Sequence, residues 1–108
     1  MVEIDPVIFE NVKLFLNKLR KAGMDVSEAY IFGSYARGQE DKWSDIDVAV
    51  VSSQISDDRF EERIRLTELA VSIDDRLEPL PFSLKNFNNT DPFVQVIKNE
   101  GISVISSQ

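Results

Sequence analysis

From Asp45 to Val51 the chain reads Asp-Ile-Asp-Val-Ala-Val-Val: two acids alternate with an apolar residue, and an unbroken apolar run follows. Successive side chains of a strand point to opposite faces, so an apolar run of this kind lines both faces of its sheet. That pattern belongs to an interior strand with a covering layer on each side. Asp45 and Asp47, at i and i+2, then share one face at the start of the strand. Two ionised carboxylates so close raise each other's pKa unless a cation lies between them. A strand end emerging into solvent would also accommodate them, and on these residues alone both readings stand.

The flanking segments alternate between helical and strand patterns. Asp5-Pro6 supplies a capping aspartate and a proline at the first helical position. Ile8, Val12, Phe15, Leu16 and Leu19 follow at helical spacing until Gly23. "EAYIFG" reads as a strand ending at Gly33, followed by a short helical turn through Tyr35 to Gly38 and a polar loop to Ser44. After the acidic strand, Ser56 is expected to cap a helix that has Asp57 and Asp58 near its positive end. Ile64, Leu66, Leu69, Ala70 and Ile73 are expected on its buried side, with Glu61 and Arg65 as an i,i+4 pair. "RLEPLPFS" is a third strand, placed near a sheet edge by Pro79 and Pro81. Asp91-Pro92 opens a last helix through Val94, Ile97 and Lys98 that ends at Gly101, and "ISVIS" adds a terminal strand. The order predicts an α/β (α+β) fold, a small mixed sheet flanked by helices, with residues 1–108 as a single domain.

Composition narrows the chemistry. Neither cysteine nor histidine occurs, which excludes disulfides, thiolate zinc sites and imidazole bases, and leaves carboxylates, hydroxyls, Lys and Arg with a hard, oxygen-seeking cation. The net charge of −7 and the dispersed basic residues make direct nucleic-acid binding an unfavoured function. No apolar run reaches the roughly 20 residues of a membrane span, and the acidic N-terminus lacks a signal-peptide pattern. A cytoplasmic protein is expected.

Upstream of the acids, Gly33-Ser34 ends a strand and begins a helix, where backbone N–H groups and a hydroxyl can meet a phosphate. A simple serine-capped turn has the same sequence. Gly33 and Gly38 imitate a P-loop in spacing, but Gln39 and Glu40 stand where Lys and Ser or Thr are required. Trp43 and the missing sixth glycine exclude an EF-hand loop. Arg37 either steadies a triphosphate or pairs with a neighbouring acid. Glu78 in "RLEPL" would complete a three-carboxylate cluster beside Asp45 and Asp47, suited to two cations about 3.5–4 Å apart. Asp74 and Asp75 compete for that role but fall at a helix end, where a solvated cap is expected. Trp43 is expected to pack locally.

Taken together, "GSYARG" followed by "SDIDVAVV" resembles the signature of the polymerase-β-type nucleotidyltransferase superfamily, and the chain is most similar to its minimal, stand-alone members. The resemblance runs from about Ile8 to Ile102. It implies that Gly33, Ser34, Arg37 and Ser44 bind a nucleoside triphosphate, and that Asp45, Asp47 and Glu78 are the catalytic, metal-binding carboxylates for two Mg²⁺ ions. Glu78 stands where many relatives have aspartate, and its part as metal ligand or base stays open. ATP is the implied substrate. Larger members carry a second domain that grips the acceptor, for which these residues leave no room. The acceptor is therefore expected on a protein partner, or across a homodimer, or is absent. Many minimal members are antitoxins of small helical HEPN-domain toxins and move AMP onto a tyrosine hydroxyl of the toxin. The alternatives are a catalytically silent nucleotide- or partner-binding module of the same fold and, more remotely, a metal-dependent glycosyltransferase using Asp-x-Asp.

Overall fold

A computed structural model describes residues 4–56 and 58–104. Eight elements follow one another: α1 (Pro6–Lys21), β1 (Val26–Phe32), α2 (Ser34–Arg37), β2 (Ile46–Ser52), α3 (Arg59–Val71), β3 (Leu77–Ser83), α4 (Pro92–Glu100) and β4 (Ile102–Ser103). The strands form one sheet in the order β3-β2-β1-β4. β1 is antiparallel to both β2 and β4, whereas β2 and β3 run parallel, so the sheet is mixed.

The caps follow from the sequence. Asp5 accepts a hydrogen bond from the Val7 N–H at 2.9 Å, and Asp91 accepts one from Phe93 at the same distance. At the other end of α1 the Met24 and Gly23 amides donate back to the carbonyls of Leu19 and Arg20. This left-handed closure needs the positive φ of Gly23, +98°. For α3 the cap is Asp58, which accepts from Glu61 at 3.3 Å. The expected Ser56 instead accepts from the Asp58 amide one turn earlier, and Asp57 lies outside the described residues.

β2 is interior and decides the layering. Ile46, Val48 and Val50 face α1 and α3, in a core with Val12, Phe15, Leu16, Leu19, Leu66 and Ala70. Ala49 and Val51 face the other way, toward Phe82, Phe87, Val94 and Ile97. The strand is buried along nearly its whole length because both faces carry a layer. Asp47, of the same parity as Ala49, therefore looks to the α4 side.

Two sequence expectations about α3 change, and the expected terminal strand forms. Ile64 is exposed, and α3 buries Leu66 and Ala70 with Leu69 and Ile73 partly covered. The helix is rotated so that Phe60, Ile64 and Val71 form an outward apolar stripe. Arg65 pairs with Glu62 at 3.4 Å, at i,i+3, in place of Glu61. The terminal strand is used within the chain: Ile102 and Ser103 pair with β1, and the Val104 amide donates to Ala29 at 3.0 Å. Ile105 and Ser106 lie outside the described residues. β3 does occupy an edge, as its prolines require, since Pro79 and Pro81 alternate and their missing donors fall on the open side. No helix of the described residues is long and apolar enough to cross a membrane.

The rotation of α3 has a measurable consequence. Leu66→Ala is expected to cost about 2–5 kcal/mol in urea unfolding, and Ile64→Ala less than about 0.5 kcal/mol. Equal costs would show that Ile64 is buried after all.

Candidate active site

The site forms where β1 ends against the start of β2. In that antiparallel pairing Phe32 lies opposite Asp47, so the next residue, Gly33, meets the aspartate side chain. Gly33 adopts φ +76° and ψ −147°, a region closed to side-chain-bearing residues. A Cβ placed there would overlap Asp47 Oδ2 and lie 3.2 Å from its Cγ. Glycine is thus required by the backbone, and any side chain there would also displace the Asp47 carboxylate. The chain then enters α2, a single turn whose first amides have no partners within the helix. Buried Tyr35 and Ala36 anchor it, and Ser34 stays partly open.

Asp74 and Arg76 support this turn from beneath. The Asp74 carboxylate accepts from Arg76 Nη2 at 2.8 Å, from Arg76 Nε at 3.0 Å and from Asn11 Nδ2 at 3.1 Å. Arg76 Nη1 in turn donates to the Tyr35 hydroxyl at 3.4 Å. These bonds, the Arg76 guanidinium first, hold the Asp74 carboxyl below its ordinary value. Asp74 is therefore a buried structural acid rather than the expected solvated cap, while Asp75 remains exposed.

Asp47 and Glu78 are brought together by the sheet. β2 and β3 are in parallel register with Asp47 opposite Glu78, so the two carboxylates share the α4 side. Burial first, then the charges of Asp45 and Glu78, push the Asp47 carboxyl above its ordinary value, while the guanidinium groups of Arg37 and Arg63 pull it down. Asp45 is exposed at the mouth of the strand. Glu78 Oε1 lies 3.1 Å from Arg63 Nη2. Of the two parts expected of Arg37, the structure shows the pairing with a neighbouring acid. Its guanidinium acts on Asp47, and Nη1 lies 3.7 Å from Glu100 Oε1. The Ser44 hydroxyl is engaged within its own loop, accepting from the Asp41 amide at 2.9 Å and donating to Asp41 Oδ1 at 3.3 Å. Trp43 does not pack as expected. It is 81% exposed, with the Lys42 ammonium 5.1 Å from the ring centre.

Against known proteins, the profile described as "Polymerase beta, Nucleotidyltransferase" matches residues 10–108. The chain belongs to this nucleotidyltransferase family. No curated protein matches its sequence. Among solved structures, a Sulfolobus solfataricus protein assigned as a nucleotidyltransferase superposes with TM-score 0.63 at 20% identity, over 89% of this chain and 78% of that one. A chain of a toxin–antitoxin complex with AMP-PNP gives 0.65 at 22%, over 93% and 74%. A third similar structure is a complex of tri-AMPylated Shewanella oneidensis HEPN toxin with its MNT antitoxin, at 0.61 and 22%, over 94% and 74%. At these identities the likeness is one of fold.

The nucleotidyltransferase fold accounts for the meeting of glycine turn and acidic strand. Its donors suit a divalent cation in kind, since Asp45 and Asp47 are hard oxygen ligands whose mutual repulsion a cation would relieve. Among the described residues, however, no three acidic side chains are arranged to hold one ion. The sequence singled out neither Arg63 nor the Asp74–Arg76–Tyr35 support. Arg63 looks in sequence like any charged residue on a solvated helix face, and nothing in the linear spacing relates it to Glu78.

Two outcomes test this geometry. Gly33→Ala is expected to destabilise the fold by about 1–3 kcal/mol and displace Asp47, as read by urea unfolding and chemical shifts around Asp47. Full stability would contradict the close approach. Because the folded pKa of Asp47 is raised, its ionised form opposes folding. Without divalent ions, Asp47→Asn should raise Tm at pH 7 by roughly 2–4 °C. That gap should close as pH falls through the folded pKa of Asp47 and the parent carboxyl takes up its proton. A gap of opposite sign, or one unchanged in acid, would be incompatible with it.

Proposed function

We propose that this nucleotidyltransferase moves a nucleoside monophosphate, AMP from ATP, onto a hydroxyl of a small helical HEPN-type protein, in the manner of an antitoxin acting on its toxin. The observation that carries the reading is the contact of Asp47 with Gly33. It brings an acidic pair against a turn with free amides and a hydroxyl, as a metal-bound triphosphate requires. The similar structures support the acceptor and the nucleotide, one being a complex with an AMPylated HEPN toxin and another a complex with AMP-PNP.

In this reading Ser34 and the α2 amides receive the phosphate tail, and Arg37 lends it positive charge. Asp45 and Asp47 hold Mg²⁺, which when bound would neutralise charge on the α-phosphate and on the leaving pyrophosphate. The acceptor oxygen attacks the α-phosphorus, the bond to the bridging oxygen of the β-phosphate breaks, and pyrophosphate departs. The hydroxyl proton passes to water or to Glu78. Most of the rate comes from alignment and fixed charge, since phosphoryl-type transfers leave little covalent chemistry to the protein. Trp43 and the apolar stripe of α3 play no assigned part.

The test combines the protein with a HEPN-domain protein from the same source, Mg²⁺ and each nucleoside triphosphate in turn, read by intact-mass spectrometry. One or more adenylyl units should appear on the partner with ATP and none with Asp47→Asn, whose circular dichroism should match the parent. A tight complex without mass gain would instead favour a silent binding module. Modification by a folded Asp47→Asn protein would refute the assignment of the acids.

A further inference from the structure

Arg63 approaches the acids from an element that carries none of the motif. It lies on α3 and reaches β3, where its Nη2 is 3.1 Å from Glu78 Oε1. The side chains of Arg63 and Glu78 are 51% and 43% exposed, so as a surface ion pair the contact adds little stability. α3 does not need it to dock, since Leu66 and Ala70 are fully buried against the sheet. Its position is what distinguishes it. Strand register sets Glu78 beside Asp47, and Arg63 also exerts its charge on Asp47.

We infer that Arg63 is the resident cation of the acidic cluster: its guanidinium takes Glu78 as counter-ion, so that the site binds one divalent ion, on Asp45 and Asp47, rather than two. This rests on the nucleotidyltransferase reading of the site. A guanidinium stays protonated at any working pH and makes directed hydrogen bonds to a carboxylate. A second divalent ion drawn to Glu78 would meet that positive charge at close range and would have to compete with it for the carboxylate. Either Arg63 leaves Glu78 or the second ion stays out. With α3 held by its core residues, the contact is available at every encounter with an ion. The consequence for chemistry is a site with one exchangeable charge and one fixed charge, in which Glu78 positions Arg63 and does not ligate metal.

The experiment uses Mn²⁺ with a non-hydrolysable ATP analogue, and reads bound Mn²⁺ per chain by equilibrium dialysis and ion–ion coupling by electron paramagnetic resonance. The parent protein should bind one ion per chain, with the spectrum of an isolated Mn²⁺. Arg63→Gln, at a half-exposed side chain, should bind a second ion and show a coupled pair. Arg63→Gln combined with Glu78→Gln should return to one. A coupled pair in the parent, or a single ion in Arg63→Gln, would overturn the inference and leave the proposed function standing. If none of the three proteins binds Mn²⁺, the metal-site reading itself fails, and this inference with it.

Discussion

The site depends on one steric and electrostatic constraint, the passage of the Asp47 carboxylate over Gly33. Antiparallel pairing of β1 with β2 sets Phe32 against Asp47, and the chain must then turn away without placing a carbon where the carboxylate lies. Only glycine meets both demands. The α2 turn has its position because the chain leaves Gly33 in that direction, and buried Tyr35 and Ala36 keep it there. The glycine turn and the acidic strand are therefore one object, held by the sheet rather than by a flexible loop.

Charge is distributed around that object in a graded way. Asp74 is buried and fully hydrogen-bonded to Arg76 and Asn11, and its work is structural. Asp47 is half-buried and short of partners, and its raised carboxyl reflects that deficit. Glu78 and Arg63 lie further out and answer each other. Perturbed groups of this kind gather at functional sites because chemistry needs charges that the fold alone has not neutralised. The contrast between Asp74 and Asp47 separates a compensated acid from an uncompensated one by environment alone, although both look alike in sequence.

Much of the fold was legible beforehand. Both Asp-Pro caps, the Gly23 stop, the interior character of β2 and the edge position of β3 all follow from local rules that the structure obeys. The meeting of Gly33 with the acidic strand was legible from the composite motif. The face of α3 was read less well, because Ile64 sits at helical spacing with Leu66 and Ala70 only loosely, and the rotation of a helix depends on what it packs against. Trp43 was misjudged for a related reason. An aromatic residue invites packing, but Trp43 joins neither apolar layer and stays exposed.

By itself the sequence determined the order of the elements and the caps of α1 and α4, since these depend on patterns within a few residues. Tertiary structure alone decided that Glu78 stands opposite Asp47, that Arg63 reaches Glu78, that Arg37 lies near Glu100, and that Asp74 is drawn inside. Each of these relations joins elements distant along the chain. The register between such segments is set by the packing of the two apolar layers and by the paths of the connecting loops, which no local pattern encodes.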